Sequence, residues 1–92
     1  MLDKDYLEQG LNGEAPLKVI LCGRVQTAEQ EKVGVVSMVY ATLDKEAAAE
    51  KIQELFSQNP QNYYMVYSVP FDVDLTTLTH YPSIAITKDD LQ

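Results

Sequence analysis

Asp72 and Asp74 stand two residues apart, with His80 six residues further on and Asp89-Asp90 near the end of the chain. Two carboxylates at that spacing in an extended segment point to one side, and an imidazole beside them would complete a donor set for a divalent cation. The spacing matches neither an EF-hand loop nor a zincin helix, whose ligands recur at fixed intervals because the ion needs them to converge. A plainer role for Asp74 is to cap a short turn opened by DLTTL, with Asp72 solvated and His80 in a local hydrogen bond. Asp72, Asp74 and His80 are therefore the metal candidates, and no cofactor is expected.

Cys22 and His80 form the other pair with chemical potential, a thiol and an imidazole that become nucleophile and base if the fold brings them together. Cys22 lies inside the apolar run LKVILCGRV, where a thiol is ordinarily buried and inert. No oxyanion hole and no orienting third group is marked, and Gly10, Gly13, Gly23 and Gly34 make no phosphate-cradling pattern. Catalysis thus survives only as an alternative, a small metal- or ligand-dependent enzyme around Asp72, Asp74 and His80. The leading expectation is a non-catalytic protein-interaction or regulatory module.

Two sets of residues suit such a module. Glu46, Glu50 and Glu54 recur every four positions and draw an acidic line along one helix. Like charges at that spacing cost a few tenths of a kcal/mol per pair, a penalty compatible with a solvated face or with contact to a basic partner. Tyr63, Tyr64, Tyr67, Phe71 and Tyr81 gather most of the aromatics in the C-terminal half. Rings on a sheet can stack nucleobases when basic neighbours hold the phosphates, but residues 58–70 carry no charge. They fit a core or a protein interface, with Tyr64 and Tyr67 as partner-binding candidates alongside the three glutamates.

Charge narrows the classes further. Seven Lys and Arg against fourteen Asp and Glu leave a net charge of −7, concentrated at the two ends and on the helix. Without a basic stripe, nucleic acid and anionic membrane surfaces are excluded as expected partners, whereas a basic protein would be steered in from a distance. The single cysteine forms no intrachain disulfide, MLDKDYLEQG has no signal-peptide character, and no apolar run approaches the roughly 18 residues that span a bilayer. A reducing cytoplasm is the expected location. Ninety-two residues suit one domain, 1–92, with little volume for an enclosed pocket.

The elements that must position these residues follow from periodicity. Residues 2–9 suit a short, marginal helix with Asp3 able to cap it and Leu2, Tyr6 and Leu7 on one side. Asn12-Gly13 and Pro16 mark a turn. In the strand from Leu17 to Val25, Leu17, Val19, Leu21 and Val25 alternate onto one face and Ile20 and Cys22 onto the other, with Gly23 suggesting a bulge or a close backbone approach. The polar run 26–32 is a hairpin connection or, alternatively, part of a long exposed ribbon. In strand two, Val33, Val35, Ser37, Val39 and Ala41 share one face, and Val36, Met38 and Tyr40 the other. Asp44 caps the main helix, whose Ala48, Ile52, Leu55 and Phe56 form its buried stripe before Asn59-Pro60 ends it. Strand three runs from Tyr63 to Val69. The connection FDVDLTTLTHYP holds at most one helical turn, and Ser83 to Thr87 suits a last strand able to accept an added strand at an edge.

The expected fold is α+β, a mainly antiparallel sheet of about four strands in the chain order β-β-α-β-β, with the main helix on one face. The central strands are apolar on both sides, so the second face also needs cover. The N-terminal segment, the FDVDLTTLTHYP connection or a second subunit would supply it, and a homodimer is the expectation.

Overall fold

The computed structural model describes residues 4–78. Its elements run α1 (Lys4–Leu11), β1 (Leu17–Ala28), β2 (Glu31–Thr42), α2 (Lys45–Gln58), β3 (Tyr63–Val69) and a short 3₁₀ turn (Leu75–Thr77). The three strands form one antiparallel sheet in the order β2-β1-β3. The class is therefore α+β with a main helix, and the described order is β-β-α-β. The fourth strand expected at Ser83–Thr87, like Leu2 and Asp3 at the start, lies outside the described residues.

β1 holds the centre because, among the described residues, it alone is paired along both edges, with β3 over Leu17–Gly23 and with β2 over Lys18–Ala28. Partners across antiparallel strands project to the same side, so the register sorts every side chain. Ile20, Cys22, Tyr64 and Val66 share the face on which Leu7 of α1 and Ile52 of α2 are buried, with Leu11, Tyr40, Leu55 and Phe56 packed around them. Ala48 and Ile52 are almost wholly excluded from solvent, as the helical stripe requires. Val19, Leu21 and Val69 form a second cluster on the opposite face, where Leu17, Tyr67 and Leu75 pack.

Strand two corrects the expected pattern. Ile20 pairs with Tyr40 but Leu21 pairs with Met38, so Val39 is an extra residue with no partner on β1. This bulge inverts the alternation. Tyr40 joins the helix side together with Ser37, Val35 and Val33, while Ala41 turns to the opposite face with Met38 and Val36. The irregularity thus sits at Val39 of the partner strand rather than at Gly23.

The polar run 26–32 forms the ribbon rather than a loop. β1 and β2 pair out to Ala28 and Glu31, leaving only Glu29 and Gln30 as the turn. Their φ angles of 50° and 71° are those a type I′ turn requires, an arrangement that favours Asn-Gly and costs residues with a side chain about 1 kcal/mol each. Beyond Gly23, where β3 stops, the ribbon has two strands among the described residues.

Local chemistry fixes the ends of α2. Asp44 Oδ1 accepts the backbone N–H groups of Glu46 and Ala47 at 2.9 and 3.2 Å, and Thr42 Oγ1 accepts that of Asp44 at 3.1 Å. Lys45 Nζ donates to Asn12 Oδ1, tying the start of α2 to the turn after α1. Gly10 lets α1 lie directly on β3, since a Cβ there would stand 2.0 Å from the Val66 carbonyl oxygen.

Replacing Glu29-Gln30 by Asn-Gly is expected to raise the unfolding free energy by about 1–2 kcal/mol, measured by urea denaturation, because both positions then adopt positive φ at little cost.

Candidate functional site

The sheet face opposite the helices is covered unequally. Near Leu17 it is closed by the cluster of Val19, Leu21 and Val69 beneath Leu75. At the other end the register lines up Met38-Leu21-Met65, then Val36-Gly23-Tyr63, then Gly34-Val25. In these rows Met38 is 67% exposed, Val25 46%, Val36 45% and Tyr63 42%. They form one contiguous apolar patch crossing three strands, a feature that marks interaction surfaces. Part of the cover expected from FDVDLTTLTHYP is thus real, supplied by Leu75; the rest of that connection, 79–82, lies outside the described residues.

The partner-binding candidates separate by burial. Tyr64 is only 2% exposed, inside the helix-side core, and Asn62 Nδ2 donates to its hydroxyl at 3.4 Å. Tyr67 is half-buried beside the Val19 cluster on the patch-bearing face. Sequence periodicity alone put the two rings on opposite faces without saying which face was open. Glu46, Glu50 and Glu54 are all exposed on α2. Glu54 forms an ion pair with Lys51 at 3.2 Å, and the Lys51 ammonium stands 5.4 Å from the centre of the Tyr40 ring. That cation–π contact rotates the Lys51 flank of α2 toward β2.

Asp72 and Asp74 are both exposed and follow β3 in a bend where Asp72 has a φ of 55°. Asp74 Oδ1 accepts from Thr76 N–H at 3.0 Å and from Thr76 Oγ1 at 2.6 Å, which makes it the cap of the Leu75–Thr77 turn. His80, the third metal candidate, lies outside the described residues, as do Asp89 and Asp90. Among the described residues no three His, Cys, Asp or Glu side chains converge to hold a metal ion. Cys22 is buried in the helix-side core.

A polar residue missed at the level of sequence organises the end of the sheet nearest α1. Lys18 is 6% exposed, and its three ammonium protons meet Gly13 O at 2.9 Å, Ala15 O at 3.0 Å and Ser68 Oγ at 2.7 Å. Ser68 Oγ in turn donates to Gly10 O, one of the carbonyls at the end of α1. One cation therefore joins α1, the turn 12–16, β1 and β3. The signal was available in strand parity, because Lys18 shares its side with Ile20 and Cys22.

No helix among the described residues is long and apolar enough to cross a membrane.

Substituting Lys18 by Met is expected to lower stability by about 2–4 kcal/mol in urea denaturation, since two half-buried carbonyls and the Ser68 hydroxyl lose a charged donor. The bonds from Thr76 side chain and backbone favour the ionised form of Asp74, so it titrates below the ordinary aspartate value of 3.8. Its contribution to the turn is complete above that value and is lost only as pH falls through the lowered one, which carboxyl-carbon NMR titration checks. Compared with protein-family models, with curated proteins and with solved structures, the chain matches none.

Proposed function

We propose that the protein is a non-catalytic, homodimeric interaction module. The observation that carries this reading is the patch of Val25, Val36, Met38 and Tyr63 on the sheet face opposite α1 and α2. A second copy facing the first across a two-fold axis would bury the same residues on both, without setting the acidic helices against one another.

Magnitudes support the reading. A patch of a few hundred Å² at about 25 cal/mol per Å² supplies several kcal/mol per copy. Association costs about 4–15 kcal/mol, so the balance suits a dimer that forms in the micromolar range rather than a permanent one. The solvent side of α2, with Glu46, Glu50 and Glu54, then faces outward in each copy and steers a basic protein partner toward it. A cytoplasmic location belongs to the same proposal.

Sedimentation equilibrium is expected to show the dimer in the micromolar range, and Met38→Glu is expected to convert it to a monomer with an unchanged circular dichroism spectrum. A wild-type chain that stays monomeric throughout that range would overturn the proposal.

A further inference from the structure

β2 is an edge strand. Its twelve residues pair with β1 from Thr42 to Glu31, and no strand among the described residues pairs with its other side. In an antiparallel strand about half of the peptide groups point away from the neighbour, so β2 presents on that side a row of donors and acceptors that no strand among the described residues takes up. Natural edges are shielded by charge, proline or shortness. β2 has no proline, and residues 33–43 carry no charge; its one irregularity is the bulge at Val39. From Val33 to Met38 the edge is regular and unshielded.

The two sides of this edge differ in chemistry. On the helix side α2 turns toward β2 the flank on which Lys51 covers Tyr40 and pairs with Glu54, with exposed Glu50 adjoining. On the other side stand Val36 and Met38. Side chains of an added strand alternate between these sides. We infer that the free edge of β2 binds an extended peptide segment of a partner protein in which basic residues alternate with apolar ones. The basic side chains meet Glu50 and Glu54, and the apolar ones extend the patch at Val36 and Met38.

A second copy of β2 is the poorer occupant of this edge. Two-fold pairing there would bring both α2 helices to the same side of the joined sheet, acid beside acid, and β2 has no cation between Val33 and Leu43 to offer. The inference rests on the reading of the protein as an interaction module, yet it uses the backbone edge of β2 and meets the proposed dimer face only at Val36 and Met38.

The test is fluorescence anisotropy of the full chain with a labelled peptide of alternating Lys and Val. Two controls accompany it, the same peptide with Glu for Lys and the same peptide N-methylated at alternate amides, which keeps its charge but cannot pair. Saturable binding of the first is expected, weakened about tenfold or more by N-methylation, by Glu for Lys, or by Glu50→Gln with Glu54→Gln in the protein. Equal binding of the N-methylated peptide would show plain charge attraction and overturn the inference, as would absence of binding. Sedimentation of the same samples keeps the two proposals apart. A monomer that binds the peptide removes the dimer and keeps the edge site, and a dimer that ignores the peptide does the reverse.

Discussion

The structure depends on β1 being, among the described residues, the only strand hydrogen-bonded on both edges and packed on both faces. Its residues Val19 to Cys22 belong alternately to the two apolar clusters, so every other element is placed by reference to them. A polar side chain in such a strand is tolerated only when each of its hydrogen-bonding groups is matched. Lys18 meets that condition with three oxygens, two from the turn 12–16 and one from β3. The ammonium is thereby a joint as much as a buried charge, and the position of α1 over β3 follows from it together with the missing side chain at Gly10.

An α+β protein with all its helices on one side of the sheet has to deal with the other side separately. Here the solution is partial. The segment after β3 folds back far enough for Leu75 to reach Val19, Leu21 and Val69, and no described residue after it covers the distal rows. The bulge at Val39 decides what those rows contain. Without it Val36, Met38 and Tyr40 would share one face, so that either Tyr40 would turn away from the helices or Met38 and Val36 would point into the core side. The most exposed apolar residue of the patch therefore owes its position to a single unpaired residue on an edge strand.

Much of this was legible in the chain. Strand three, the Asp44 cap, the Ala48–Ile52–Leu55–Phe56 stripe and the stop at Asn59-Pro60 follow from propensity and periodicity, which act over a few neighbouring residues. The faces of strand two were not legible beyond Val39, because a bulge is a property of two strands in register and leaves no mark in either alone. The sequence signal pointed instead to Gly23, which sits in regular pairing. The burial of Tyr64 and the half-burial of Tyr67 depend on which side the helices choose, and nothing within YYMVYSV encodes that choice. The run QTAEQEK was ambiguous for a related reason, since polar residues serve equally as a loop or as a ribbon with both sides wet.

The Glu29-Gln30 turn has a bearing on the order in which the chain assembles. Hairpins commonly nucleate at a well-formed bend and zip toward their open ends. A bend that demands left-handed backbone from two residues with side chains is a poor nucleus. Early contact instead falls to the apolar pairs near Ile20 and Tyr40, despite the longer loop that must close to bring them together. The hairpin then zips outward from the body, and its tip is the last segment to form and the first to fray.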